Sequence, residues 1–81
     1  MSVTPDLVEE LNALIHFNLS NTQAGVKVHA SANPEVIDAF QRLHDKGLVS
    51  QVDGGYLTPL GLEAAEHAEH LLIILSSKTP A

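Results

Sequence analysis

Glutamate and histidine alternate near the end of the chain at a spacing that suits metal binding. Glu63 and His67 are four residues apart, as are Glu66 and His70. On a helix this spacing puts each pair on one face, and carboxylate and imidazole groups are both metal ligands. Each pair supplies only two ligands, and the spacing of the remaining histidines supplies no third. We expect a solvated helix face with weak Glu–His pairing, no metal site and no cofactor.

Motifs for nucleophilic catalysis and phosphate binding are missing from the sequence. The chain has no cysteine, and no serine has a histidine and a carboxylate partner at a motif spacing. Gly54-Gly55 lies inside a predicted hairpin, whereas a phosphate-binding glycine loop joins a strand to a helix. We therefore expect no enzyme activity.

Basic residues are few, so their positions decide whether the chain can bind nucleic acid. Ten Asp and Glu residues face four Lys and Arg residues, for a formal net charge of −6, whereas DNA-binding domains usually present a basic face. Arg42 is expected to point away from the core, and Asp38 at i−4 favours an intrahelical ion pair with it. The candidate DNA contacts lie on the predicted second helix and around the hairpin: Lys27, Gln41, Arg42, Lys46, Ser50 and Gln51.

The second predicted helix covers residues 34–46. Asn33 suits the N-cap and Pro34 the first helical position, and Gly47 suits the left-handed conformation that ends a helix. The apolar residues that recur at helical spacing are Val36, Ile37, Phe40 and Leu43. A helix with Phe40 on its buried face is predicted.

A hairpin and a third helix follow. Strand-forming residues flank Asp53-Gly54, a dipeptide that favours a type I′ turn with positive φ at both positions. Thr58 and Pro59 then predict the start of a helix. Its predicted buried stripe consists of Gly61, Ala64, Ala65, Ala68, Leu71, Leu72 and Leu75.

The N-terminal third predicts one helix and a short strand. Thr4 and Pro5 begin a helix that extends to about Phe17. Its predicted buried stripe is Leu7, Val8, Leu11, Leu14 and Ile15, with Glu9, Ala13 and His16 facing outward. Residues 20–25 allow one helical turn, and the alternation in residues 26–30 predicts a small strand that can join the hairpin as a third member.

The order helix, hairpin, helix is clearest over residues 43–68, which read LHDKGLVSQVDGGYLTPLGLEAAEHA. This run resembles the recognition helix, wing and following helix of winged helix-turn-helix proteins. The whole chain is similar to a small, uncharacterised bacterial family labelled as candidate DNA-binding proteins. The resemblance implies one α+β winged-helix domain over residues 1–81, with a frayed tail at 76–81, and a DNA-binding, transcription-related role. The alternative is a protein-interaction module that keeps the fold without binding DNA.

The end of the last predicted helix is apolar on all sides. Ile73 and Ile74 project from its outer face, and their joint exposure is unfavourable in a monomer. We expect a symmetric homodimer, unless the first helix covers one of the two isoleucines. The candidate interface residues are Leu71, Leu72, Ile73, Ile74 and Leu75.

Composition also indicates the location of the protein. The sequence has no cysteine, no apolar run long enough to cross a membrane, and an acidic N-terminal segment where a signal peptide would be basic. We expect a cytoplasmic protein whose partners are a second copy and double-stranded DNA, and not a membrane.

Overall fold

The computed structural model describes residues 2–17 and 25–77, which contain three helices and three strands. The elements are α1 (Pro5–Ile15), β1 (Val26–Lys27), α2 (Pro34–Asp45), β2 (Val49–Gln51), β3 (Gly54–Leu57) and α3 (Pro59–Ser76). The strands form an antiparallel sheet in the order β1-β3-β2. The predicted α+β, winged-helix-like fold is confirmed, and β1 is the predicted third strand. Residues 20–24 of the predicted turn and 78–81 of the predicted tail lie outside the described residues.

Side-chain caps begin two of the helices as predicted. The Thr4 hydroxyl accepts a hydrogen bond from the Leu7 amide at 3.2 Å, and the Thr58 hydroxyl accepts one from the Gly61 amide at 3.0 Å. Asn33 occupies the N-cap position of α2, but its side chain makes no capping hydrogen bond. The position of this cap was predicted correctly, and its expected side-chain bond is absent.

The end of α2 is fixed by Gly47, whose φ is 78°. The Leu48 amide donates to the Leu43 carbonyl at 2.9 Å and the Gly47 amide donates to the His44 carbonyl at 3.0 Å. These two bonds form a Schellman motif, which requires a left-handed residue at this position. The Thr58 hydroxyl also donates to the Gly47 carbonyl at 2.6 Å, so the end of α2 is tied to the start of α3.

The hairpin is confirmed, but its predicted turn is wrong. Gln51 pairs with Gly54, so Val52 and Asp53 form the loop and Gly54 is already the first residue of β3. A type I′ turn at Asp53-Gly54 needs a positive φ at Asp53, and among the described residues only glycines have positive φ. Glycine is required at position 54 for another reason. A Cβ atom there would lie 2.4 Å from the Val26 carbonyl oxygen of the neighbouring β1.

The core lies where the three helices meet the sheet. The Phe17 and Phe40 rings are tilted by 47° with centroids 6.2 Å apart, within the range of favourable aromatic pairs. The buried apolar residues are Ala13, Leu14, Phe17, Ala39, Phe40, Leu43, Val49, Ala65 and Ala68. The predicted central position of Phe40 is confirmed.

The predicted orientation of α1 is wrong. Ala13, expected on the outside, is buried, whereas Val8 and Ile15, expected inside, are 43% and 46% exposed. Glu10 is instead buried at 5% exposure. The helix is rotated so that Glu10 faces inward. The reason is an ion-pair network with α2, described below.

The buried stripe of α3 ends earlier than predicted. Gly61, Ala65 and Ala68 are buried, but Leu71 and Leu75 are 51% and 70% exposed. The stripe continues in the sequence beyond the surface that residues 2–17 and 25–58 cover. The last two turns of α3 therefore present apolar side chains to the surroundings.

The central position of Phe40 predicts the effect of shortening this side chain. Phe40→Leu removes ring atoms from a site that is 1% exposed and should lower the free energy of unfolding by about 1–2 kcal/mol. Urea denaturation gives the value. Val52→Ala, in the exposed hairpin loop, is the control and should change stability by less than about 0.5 kcal/mol. Equal effects of the two substitutions would contradict the described core.

Candidate functional site

A buried carboxylate binds two of the four cationic side chains of the sequence. Glu10 lies on α1 with its side chain 7% exposed. Arg42 Nε donates to Glu10 Oε2 at 3.1 Å, and Lys46 Nζ donates to Glu10 Oε1. Arg42 Nη2 also donates to the Asp6 carbonyl at 3.3 Å and lies 3.9 Å from the Asp6 carboxylate. Each oxygen of the Glu10 carboxylate thus has its own cation.

Helical spacing explains this arrangement. Asp6 and Glu10 are four residues apart on α1, and Arg42 on α2 is four residues before Lys46, the C-cap of that helix, so each pair lies on one face of its helix. An ionised carboxylate withdrawn from water requires opposite charges or hydrogen-bond donors. The Asp6 side chain is 74% exposed, and its ion pair therefore contributes little. Glu10 is the centre of the contact between α1 and α2.

The predicted ion pair between Arg42 and Asp38 was wrong. The carboxylates within ion-pair distance of Arg42 are Glu10 and Asp6 on α1, and not Asp38 on its own helix. The side chain points toward α1. The repeated four-residue spacing of acids on α1 and of cations on α2 was the signal in the sequence that could have indicated this pairing.

The exposed face of α2 is acidic. Glu35, Asp38 and Asp45 are exposed, with Gln41 among them, and Asp53 is exposed in the hairpin loop. In a winged-helix protein that binds DNA, this helix and this loop would approach the duplex. Their carboxylates repel phosphates, because like charges at close range are unfavourable.

The other candidate DNA contacts lie partly around the hairpin and partly on α2. Lys27 and Gln51 line the same shallow depression on the sheet, together with Asp53 and Tyr56. The Ser50 hydroxyl accepts a hydrogen bond from the Tyr56 amide at 2.9 Å, so it is a structural part of the hairpin. Arg42 and Lys46 lie between α1 and α2, and Gln41 lies on the exposed side of α2. The six candidates therefore divide into Lys27, Ser50 and Gln51 around the hairpin and Gln41, Arg42 and Lys46 on α2 and at its end.

The C-terminal turns of α3 form the largest exposed group of aliphatic side chains that are adjacent in the described sequence. Leu71, Ile73, Ile74 and Leu75 are all more than half exposed, at 51%, 60%, 59% and 70%, and Leu72 is half-buried. The expected exposure of both isoleucines is confirmed, and α1 covers neither of them. Apolar side chains on every side of a helix end are typical of a segment that contacts another molecule.

The Glu and His residues of α3 lie on its outer surface. Glu63, Glu66, His67 and His70 are all exposed. Within residues 2–17 and 25–77, no three potential ligands are grouped closely enough to hold a metal ion. In the same part of the chain, no helix has the length and apolarity that a membrane crossing requires.

Residues 1–76 match the model of a family of unknown function, DUF5669. The chain belongs to this family. Comparisons with curated proteins and with solved structures returned no match. Membership in DUF5669 assigns no activity.

The Glu10 network predicts which carboxylate of α1 matters for stability. Glu10→Gln removes the charge that pairs with both cations and should lower the free energy of unfolding by about 1–3 kcal/mol. The loss is limited to this range because the Arg42 and Lys46 side chains are partly exposed, so water can solvate their charges. Glu9→Gln, at the adjacent half-buried position, is the matched control and should change it by less than about 0.5 kcal/mol. Chemical denaturation measures both. Equal effects would show that the network does not hold α1 against α2.

Proposed function

We propose that this protein is a homodimeric protein-interaction module with a winged-helix-like fold, and that the exposed end of α3 is its main contact surface. The observation that carries the proposal is the exposure of Leu71, Ile73, Ile74 and Leu75 on a short helical segment. We take a second copy of the same chain as the partner, because self-association requires no other molecule. We also propose that the protein is cytoplasmic, as its cysteine-free composition favours.

Burial energies support self-association. Fully burying one Leu or Ile side chain contributes about 1.5–3 kcal/mol, so covering the exposed parts of all four residues in each of two chains would contribute at most roughly 7–14 kcal/mol. Association itself costs about 4–15 kcal/mol. The apolar end of α3 therefore supplies much of the free energy that a dimer needs, and additional contacts along the helix would complete it.

Charge supports an interaction module over a DNA-binding protein. Glu10 holds Arg42 and Lys46, which leaves Lys27 as the cation without an ion pair among the described residues. A dimer would then offer about two phosphate contacts, whereas strong electrostatic binding to duplex DNA uses about 6–10. The exposed carboxylates of α2 weaken such binding further.

DNA binding is the second candidate function. The order of helix, hairpin and helix favours it, because α2 and the hairpin correspond to a recognition helix and wing. Its contacts would be Lys27, Gln41 and Gln51, which are exposed, with Arg42 and Lys46 taking part only after release from Glu10. Lys27→Ala would then weaken binding to every duplex sequence, since a phosphate contact carries no sequence information.

Self-association predicts the effect of charges at the end of α3. The double variant Ile73→Glu, Ile74→Glu should be a folded monomer, because each chain then carries two carboxylates in place of apolar side chains at the end of α3 that contacts its partner. Light scattering gives the mass and circular dichroism checks the fold. Val52→Glu, at an exposed position of the hairpin loop, is the control and should remain dimeric. A wild-type protein that is monomeric at high micromolar concentration would contradict the proposal.

The two candidate functions respond to salt in opposite directions. Two chains of formal charge −6 repel each other, so raising the salt concentration should strengthen dimerisation by screening that repulsion. DNA binding would weaken as salt rises, because it depends on counterion release. We expect sedimentation to show tighter dimers at higher salt and anisotropy to show no binding to random duplex at low salt. Tight binding to duplex at low salt would favour the second candidate.

A further inference from the structure

An exposed stripe runs along the outer side of α3 from its first turn to its last. Leu60, Glu63, His67, His70 and Ile74 are separated by three, four, three and four residues, and all five are exposed. Alternating steps of three and four residues keep side chains on one side of a helix, as in the contact positions of coiled coils. These five residues, the α3 seam, lie opposite the face of the helix that contacts the core.

The α3 seam is complementary to a reversed copy of itself. When two such helices run antiparallel with a two-fold axis at His67, Leu60 lies opposite Ile74, and Glu63 lies beside His70, offset along the helix axis by one residue, about 1.5 Å. Aliphatic side chains that are 54% and 59% exposed in one chain then cover each other. A carboxylate faces an imidazole, which has an N–H group to donate in either protonation state. Only His67 faces its own copy.

Other ways of pairing the helices lack this complementarity. In a parallel pair each residue faces its own copy, so the two Glu63 carboxylates would repel each other. In a crossing through the C-terminal end alone, Ile74 would face Ile74, and Leu60 would remain exposed at the other end of the helix. The antiparallel arrangement uses the polar middle of the seam as well as its apolar ends.

We propose that α3 pairs antiparallel with α3 of a second copy through Leu60, Glu63, His67, His70 and Ile74. This inference rests on the proposed homodimer, gives its orientation, and narrows the part played by the apolar end of α3 to Ile74 and Leu71, with the remaining contacts made by the earlier turns of the helix. Leu71 lies at the edge of the seam and widens its apolar end. The Glu63 and His70 pairs give the two acidic chains a complementary contact at the place where they approach most closely.

Two adjacent isoleucines of similar exposure should differ in their effect on dimerisation. Ile73 and Ile74 are 60% and 59% exposed, but successive residues of a helix point about 100° apart. Ile74 is in the seam and Ile73 is outside it. Ile74→Glu should therefore raise the dissociation constant of the dimer by about tenfold or more, whereas Ile73→Glu, the matched control, should change it by less than about threefold. Equal effects of the two variants would overturn the proposed seam.

Disulfide trapping tests the direction of pairing, because the chain has no cysteine of its own. A disulfide requires Cα atoms within about 7 Å. In the antiparallel pair His67→Cys meets its own copy at the two-fold axis and should give a covalent dimer under mild oxidation. Two Ile74→Cys residues would lie about 21 Å apart and should not link. A mixture of Leu60→Cys and Ile74→Cys chains should link to each other, as seen on a non-reducing gel.

The outcomes distinguish the pairing direction from dimerisation itself. Sedimentation of each reduced variant first establishes whether it is dimeric. A dimer in which Ile74→Cys links to itself, while the mixture with Leu60→Cys does not link, overturns the antiparallel seam and leaves the homodimer intact. A wild-type protein that is monomeric at high micromolar concentration overturns both proposals.

Discussion

The orientation of the helices depends on the carboxylate of Glu10. A charged group with so little exposure would strongly destabilise the fold unless both of its oxygens were paired. Arg42 and Lys46 provide that pairing from the neighbouring helix. As a result, α1 turns its Glu10 face toward α2, Ala13 enters the core, and the aliphatic residues Val8 and Ile15 remain half outside.

The same interaction determines which surfaces are left for function. It pairs two cations with Glu10 that would otherwise be free to contact a nucleic acid, while Glu35, Asp38 and Asp45 remain exposed on α2. Four exposed aliphatic side chains, Leu71, Ile73, Ile74 and Leu75, lie close together on the last turns of α3. An acidic α2 and an apolar end on α3 are the two surface features on which the proposed interaction module rests.

Local signals in the sequence predicted most of the fold. Thr4, Thr58 and Gly47 mark helix ends through bonds to nearby backbone groups, and these are readable without tertiary information. The face of α1 was predicted wrongly because its side chains are apolar over a wide arc, and the ion pairs that select the buried face join residues 32 and 36 positions apart. The role of Gly54 was missed for a similar reason, since the close approach of β1 is a tertiary contact.

The candidate site was predicted in part. Residue type alone identified Arg42 and Lys46 as the cations of interest, but not the carboxylate that holds them. The apolar run at residues 71–75 was recognisable from the sequence. The exposure of Ile73 and Ile74 was expected because a helix end that is apolar on all sides cannot turn every side chain toward the core. The α3 seam needed the structure, because the sequence does not say which side of the helix the core leaves uncovered.

We infer that α3, and not α2 with the hairpin, is the surface through which this protein binds its partner. Amide NMR spectra of the wild-type protein, recorded over a dilution series and then with random duplex DNA added, distinguish the two surfaces. We expect concentration-dependent shifts confined to residues 60–76 and no change on adding DNA. Spectra that are unchanged by dilution, but show shifts in α2 and the hairpin with DNA, would contradict it.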